Sequence, residues 1–305
     1  MPTLAPAIDA NAREALAPTD GAAPTATLGS CKAQKRLRRI LVHIDDASSA
    51  VLRLVSARTL AGVFDAGLLA CYCTTPSAKW HALEVGLTLR GIDRCDEEDY
   101  ARGRAAYDAF AQTCERLSDV DWLDLCEEPE QAFEREALYA DYLVLQRPDR
   151  LNHVAGVSAS FVDHVLVRSG RPAVVLPPRG VLRQMPRTVA IAWTESPAAA
   201  RALASAMPLL REARNVHIIG CGEGAYSSVA GLAARLEAQG LVPRSHILED
   251  AGSDLGIPLL NCAARLGADL LVMGCFGHSQ TRERVLGGAS RTALDRAPMP
   301  LLVAH

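Results

Sequence analysis

The 305-residue sequence has few aromatic residues, little net charge and no long apolar segment. Aromatic residues make up 5% of the chain, and the formal net charge at pH 7 is −3. A charge this close to zero gives no electrostatic reason to expect nucleic acid or an anionic membrane as a partner. No apolar run approaches the roughly 20 residues that span a bilayer, and residues 1–6 lack the basic and apolar segments of a secretory signal. We therefore expect a cytoplasmic protein.

Recognised catalytic and metal-binding patterns are also missing. The chain contains no H-E-x-x-H, no P-loop and no G-x-G-x-x-G, and it has no G-x-S-x-G nucleophile turn. Its nine cysteines are odd in number and irregularly spaced, which favours free thiols over a disulfide framework. The one close pair, Cys71 and Cys73, is expected on the same face of a buried strand. The sequence thus predicts no metal site and no dedicated catalytic centre, so an enzyme is not expected.

Short apolar runs alternate with segments of helical period along most of the chain. Residues 1–36 are rich in Ala, Pro and Thr and are expected to form a disordered leader. Beyond them, continuously apolar runs predict strands at 40–44, 68–72, 120–125, 142–145 and 173–176. Helical patterns lie between these strands, at 101–117, 130–139 and 160–168 among others. Apolar strands that alternate with helices indicate an α/β fold with a parallel sheet covered on both faces.

The second half of the sequence repeats the first. Ile40 and its neighbours correspond to Val189 and its neighbours when the early part is shifted by 149 residues. A shift of 128 residues places Asp141 on Asp269 and Pro172 on Pro300. A repeat of this length predicts two copies of one domain.

The two shifts differ by 21 residues, so the first copy carries an insert, which we place near 76–98. Prolines and a glycine at 177–180 suit the boundary between the copies. We therefore expect a first domain at 37–178 and a second at 179–305. The insert is expected to pack as a flap or an extra helical piece.

A glycine constellation late in the second copy has the chemistry of an anion site. The predicted strand ends at Met273, and Gly274 and Gly277 follow it. Such glycines let the backbone turn sharply and approach a ligand closely. Gly287 and Gly288 then precede a helical segment at 290–296, where main-chain N–H groups at the helix start attract phosphate.

These residues resemble the universal stress protein family in its tandem, two-domain form. The family motif G-x2-G-x9-G-[ST] is matched in spacing by Gly274, Gly277 and Gly287, whereas Gly288 replaces the final Ser or Thr. The resemblance covers about residues 37–305. It implies two Rossmann-like domains, each a five-stranded parallel sheet of order 3-2-1-4-5 with about four helices. It also implies that ATP or a related nucleotide binds some members, and that many members dimerise through the last strand.

By this resemblance, the nucleotide site is split between the copies. Residues expected around a nucleotide in the second domain are Ala192, Thr194, Met273, Gly274, Gly277, His278, Gly287, Gly288, Ala289 and Ser290. The nucleoside-binding Asp of the family is Thr194 there, and Ser290 is the candidate substitute for the missing hydroxyl. The first copy keeps the acid as Asp45 but has Gln146, Asp149, Ala159 and Ser160 in the places of the loop residues.

The leading hypothesis is a cytoplasmic stress-response protein that binds ATP or a related nucleotide in the second domain as a regulatory ligand. Two alternatives stay open: a scaffold that binds no nucleotide, and a slow ATPase. The two domains are expected to form an internal pseudo-dimer, and a homodimer is a further expectation. Neither a nucleic acid nor a membrane is expected as a partner.

Overall fold

The structure is a computed structural model that describes residues 38–47, 49–77, 89–114, 120–125, 128–147, 157–222, 224–248, 255–276 and 288–305. The predicted leader at 1–36 lies outside the described residues. So do Asp149 of the first half and three predicted site residues of the second, namely Gly277, His278 and Gly287.

The first half of the described chain contains five strands and four helices. In chain order these are β1 (Arg38–Ile44), α1 (Ala50–Phe64), β2 (Ala66–Cys73), α2 (Leu89–Cys114), β3 (Val120–Leu125), α3 (Pro129–Ala137), β4 (Tyr142–Gln146), α4 (Phe161–Ser169) and β5 (Ala173–Leu176).

The second half repeats this order, also with five strands and four helices among its described residues. The elements are β6 (Thr188–Trp193), α5 (Pro197–Glu212), β7 (Asn215–Cys221), α6 (Ala225–Glu237), β8 (Pro243–Leu248), α7 (Gly256–Arg265), β9 (Leu270–Gly274), α8 (Ala289–Arg296) and β10 (Leu301–Ala304).

All ten strands belong to one sheet of order β3-β2-β1-β4-β5-β10-β9-β6-β7-β8. Within each half the order is 3-2-1-4-5 and every pairing is parallel, as the α/β pattern and the resemblance predict. The halves meet where β5 and β10 pair antiparallel, with Leu301 opposite Val175. The last strands of the two halves therefore satisfy each other's edges within one chain.

The strand registers reproduce the offsets of the sequence repeat. Ile40 lies opposite Tyr142 in the first half, and Val189 lies opposite Leu270 in the second. Asp141 and Asp269 form equivalent hydrogen bonds in the two halves. The Asp141 carboxylate accepts the N–H of Arg39 at 2.8 Å, and the Asp269 carboxylate accepts the N–H of Thr188 at 3.0 Å. The repeated aspartate thus fastens the start of the fourth strand to the first.

Helices cover both faces of the sheet. One buried cluster joins the sheet to α1, α2, α5 and α6, and includes Leu54, Phe110, Leu209 and Leu232. The other joins the opposite face to α3, α4, α7 and α8, and includes Phe133, Leu166, Leu260 and Leu294. Cys71 and Cys73 are fully buried together in the second cluster, so the predicted shared strand face is confirmed.

The prediction for the start of α2 is wrong. The sequence placed this helix at 101–117, whereas it begins at Leu89 and runs for 26 residues. Part of the region assigned to the insert is therefore the first turns of α2. Gly91 weakens the helical signal of this stretch, because glycine is a poor helix former.

The connection between the halves is fastened to α1. The main-chain N–H of Leu182 donates to the Ser56 hydroxyl at 2.9 Å, and the Thr59 hydroxyl donates to the carbonyl of Leu182 at 2.8 Å. The Leu182 side chain is buried in the core. No helix in the described part of the chain is long and apolar enough to cross a membrane.

Candidate functional site

The carboxyl ends of β6 and β9 meet in the second half, where the helices that follow them leave toward opposite faces of the sheet. Ala192 lies opposite Met273 in this pair of strands. In an open parallel sheet, ligands bind at such a switch point. Four elements therefore surround the crevice: the ends of β6 and β9, the start of α5 and the start of α8.

Gly274 lets the start of α5 approach the end of β9 closely. A Cβ atom built at Gly274 would lie 2.5 Å from the main-chain nitrogen of Ala199 and 2.7 Å from the carbonyl carbon of Ala198. Both neighbours are backbone atoms, which cannot rotate away as a side chain does. Gly274, a predicted site residue, is therefore required for packing, whether or not it also contacts a ligand.

The chain leaves β9 in a tight, hydrogen-bonded turn. Phe276 adopts a positive φ of 53°, which is rare for a residue with a bulky side chain. Its main-chain N–H donates to the hydroxyl of Ser290 at 3.3 Å. Ser290, predicted as a substitute phosphate-binding hydroxyl, is buried and ties Phe276 to the first turn of α8.

The start of α8 presents main-chain donors. Gly288 is the N-cap residue, with an extended ψ of 157°, and as a glycine it has no side chain of its own that could cap the helix. The first N–H groups of a helix have no partner within the helix and carry the positive end of its dipole. Gly288 and Ala289 are half-buried, so this terminus borders the crevice without being sealed inside the core.

The remaining predicted site residues differ in how much of their side chains is exposed at the crevice. Ala192 is half-buried and Thr194 is exposed, with its hydroxyl 3.5 Å from that of Ser196. The Met273 side chain is buried in the core on the α7 and α8 face, so only its main chain borders the crevice. No three His, Cys, Asp or Glu side chains gather as a metal site anywhere in the described ranges.

The equivalent crevice in the first half is filled by its own side chains. Gln146 stands where the second half has Gly274, and its Oε1 accepts a hydrogen bond from Arg53 Nη1 at 3.0 Å. Arg53 also pairs with Asp45, the acid that the resemblance assigns to the nucleoside. Gln146 Nε2 donates to the carbonyls of Pro177 and Pro178 at 3.1 and 3.0 Å. The Gln146 amide and one oxygen of the Asp45 carboxylate are thus already bound within the protein.

A carboxylate lies beside the start of α4 in the first half. Glu130 accepts hydrogen bonds from the hydroxyls of Ser158 and Ser160 at the start of α4. Ser160 is the repeat equivalent of Gly288, while Glu130 is the equivalent of Pro258. The first half thus supplies its own negative charge at this helix start, and the second half has an uncharged residue in the corresponding position.

Burial and the Arg53 charge fix the ionisation of the filled crevice. Burial by itself would raise the pKa of Asp45, but the adjacent guanidinium of Arg53 holds that pKa below its ordinary value. Burial lowers the pKa of His43 from 6.5 to about 4, so its ring is neutral at pH 7. Its Nε2 lies 3.3 Å from the carbonyl oxygen of Cys73, and its ring packs against Phe161.

The sequence alone does not reveal the groups that close the first crevice. Alignment of the copies identifies Asp45 and Gln146, assigns no role to Arg53, and makes Glu130 part of a solvated helix start whose acids suit the helix dipole. A signal was present in the repeat itself: Arg53 corresponds to Ala202 and Glu130 to Pro258, so both charges occur in the first copy alone. A charge that occurs in one copy alone marks a place where the two copies differ in chemistry.

Comparison with known proteins supports the fold. No protein-family model matches the chain, and no curated protein matches it. Among solved structures, a universal stress protein from Archaeoglobus fulgidus DSM 4304 is similar with a TM-score of 0.67 and 17% identity, over 87% of this chain and 97% of that one. A universal-stress-type protein from Pseudomonas aeruginosa UCBPP-PA14 has a TM-score of 0.55 and 15% identity, over 87% of this chain and 92% of that one. The chain therefore has the tandem universal stress protein fold.

Proposed function

We propose that the protein binds ATP or a related anionic nucleotide in its second half, as a regulatory ligand and without a dedicated catalytic centre. The observation that carries the proposal is the difference between the two crevices. At the start of α4 the Glu130 carboxylate accepts hydrogen bonds from the hydroxyls of Ser158 and Ser160, whereas the equivalent residue of the second half is the uncharged Pro258. An uncapped helix start beside a switch point favours phosphate.

Recognition in this proposal rests on the phosphates more than on the nucleoside. Thr194 replaces the family's acid, and a neutral hydroxyl forms weaker hydrogen bonds than a carboxylate does. Affinity should therefore rise from AMP to ADP to ATP and fall with added salt, because screening weakens an interaction between charges. The residues Gly277, His278 and Gly287 keep the roles that the resemblance implies.

Calorimetric titration with the three nucleotides tests the proposal, and Ala289→Asp supplies the informative variant. An acid in the first turn of α8 suits the helix dipole, so the fold should keep its stability. The same acid would repel phosphate, as Glu130 does in the first half. We expect ATP binding to weaken about tenfold or more, since one lost charged contact corresponds to roughly that factor.

The matched control is Ser160→Asp at the start of α4, where a carboxylate is already present. Its ATP affinity should equal that of the parent protein. Binding that is absent from the parent at millimolar ATP would refute the proposal. Equal weakening by both substitutions would show that the start of α8 is not the phosphate site.

The other parts of the proposal have their own tests. A stress-response role follows from the fold by analogy and predicts a survival defect on deletion. The first half serves as a scaffold, because its crevice is occupied. Steady phosphate release that disappears in Ala289→Asp would replace the regulatory proposal by the slow-ATPase alternative. A cytoplasmic location is proposed because nine irregularly spaced cysteines suit a reducing compartment.

The pairing of β5 with β10 already uses the two last-strand edges within one chain. A homodimer through those strands would have to break that pairing. We therefore propose that the chain does not form a homodimer through its last strands. Light scattering of the purified protein measures its mass and tests this.

A further inference from the structure

A groove lies between α5 and α6 on the face of the sheet opposite to the start of α8. We call it the α5–α6 groove; it has a volume of about 510 Å³. Trp193 lines it and packs against the core on this face, whereas its neighbour Ala192 packs on the other face. The sheet therefore separates the groove from the proposed phosphate site.

The groove has an apolar floor and a polar rim. Leu203, Met207 and Leu232 line it together with the Trp193 ring. Arg235 and Glu195 lie at its rim and are exposed, and neither has an ion-pair partner within the described ranges. The volume falls in the range of small-molecule sites, which are mostly apolar with a few placed polar groups.

Two polar atoms of the groove residues are buried without a hydrogen-bond partner in the described structure. They are Nε1 of Trp193 and the hydroxyl oxygen of Ser228. A buried polar group without a partner costs free energy, and each one in a folded protein calls for an explanation. Ser228 is adjacent to Ser227, whose hydroxyl donates to the Gly224 carbonyl at 3.1 Å, so that local acceptor is already used.

The corresponding groove of the first half is smaller and closed by its own charges. It lies between α1 and α2 with a volume of about 340 Å³. Asp46, the repeat equivalent of Glu195, accepts a hydrogen bond from Tyr72 at 2.7 Å and pairs with Arg102 at 3.3 Å. Both carboxylate oxygens of Asp46 are thus engaged across that groove. The second half keeps the same groove, larger and without this ion pair.

We propose that the α5–α6 groove binds a small monocarboxylate with an apolar body. The apolar body would lie against Leu203, Met207 and Leu232. An indole N–H can only donate a hydrogen bond, so the ligand must present an acceptor to Trp193. A carboxylate accepts from both Trp193 and Ser228 in charge-assisted bonds. Arg235 at the rim offsets the negative charge of Glu195 there. Both donor atoms are enclosed in the free protein, so the groove side chains must shift for a ligand to reach them.

Decanoate is the probe, with decan-1-ol as its uncharged counterpart, and tryptophan fluorescence and calorimetry measure binding. We expect saturable binding of decanoate and about tenfold weaker binding of the alcohol, since one charge-assisted contact is worth roughly that factor. Ser228→Ala should weaken decanoate binding about tenfold while the urea midpoint stays the same or rises, because the buried hydroxyl has no partner to lose. Trp193→Phe keeps the aromatic wall and should have the same effect on binding.

Ala204→Trp fills the groove from its exposed wall and should abolish decanoate binding. Its matched control is Ala105→Trp, which places the same side chain in the groove of the first half and should leave binding unchanged. ATP should not displace decanoate, so the outcome is independent of the proposed nucleotide site. The proposal is overturned if decanoate does not saturate, if the alcohol binds equally well, or if Ser228→Ala and Trp193→Phe bind decanoate as the parent does.

Discussion

The substitution Gly274→Ala tests whether this glycine is required for packing. An added Cβ would lie 2.5 Å from the nitrogen of Ala199, whereas ordinary van der Waals contact begins at 3.4 Å. The added Cβ would therefore be roughly 0.9 Å too close to a backbone atom. The first turn of α5 would have to move by about that distance, away from β9.

The expected loss of stability can be taken from the usual effect of an overpacked contact. Forcing an extra methyl group into a close-packed contact destabilises a protein by about 1–3 kcal/mol. Alanine also restricts the unfolded chain, which returns about 0.4–1 kcal/mol. We therefore expect the free energy of unfolding to fall by roughly 1–2 kcal/mol, and the melting temperature to fall by about 2–3 °C for a chain of this size.

Urea unfolding followed by circular dichroism measures this change without any nucleotide. The matched control is Gly231→Ala in α6, where an added Cβ has no atom within 4 Å. That control should be more stable than the parent by up to about 1 kcal/mol, because alanine is a better helix former than glycine. Equal stability of Gly274→Ala and the parent would refute the packing argument and leave Gly274 to a ligand role alone.

Two further predictions concern the filled crevice of the first half. Arg53→Met should lower the free energy of unfolding by about 3–5 kcal/mol, because it leaves the buried Asp45 carboxylate without its cation. In urea titrations, adding Asp45→Asn to this variant should recover much of the loss. If Arg53→Met alone is within roughly 1 kcal/mol of the parent in stability, the reasoning is contradicted. The neutral, buried His43 has a folded pKa of about 4 against 6.5, so it contributes stability above pH 6.5 that is lost as the pH falls toward 4. Between about pH 7.5 and about pH 5 the parent should lose about 2 kcal/mol more than His43→Leu, and equal slopes for the two proteins would exclude His43 as the cause.

The sequence indicated the fold and its duplication correctly because both depend on local patterns. Apolar runs such as Ile40–Ile44 form strands wherever a sheet buries both of their faces. The repeat offsets survive in the strand registers because Asp141 and Asp269 fix the same alignment in both halves. The start of α2 at Leu89 was missed for the opposite reason: its first turns have little apolar period of their own.

Local sequence patterns could not predict which of the two crevices is filled by the protein's own side chains. Arg53 and Gln146 are 93 positions apart in the chain, and Glu130 and Ser160 are 30 apart. Nothing in the local sequence says that such side chains meet. Alignment of the copies marked Gln146 as a departure from glycine, but only the fold shows it bound to Arg53 where a ligand would lie.

The sequence alone therefore determined an α/β chain of two homologous halves with a glycine-bearing turn after β9. Those features follow from periodicity and from glycine's backbone freedom, which are properties of neighbouring residues. The tertiary structure decided that β5 and β10 join the halves in one sheet, and that the first crevice is closed by its own charges. It also decided that Gly274 is packed against α5. Each of these depends on which distant groups meet in space, and only the packed chain determines that.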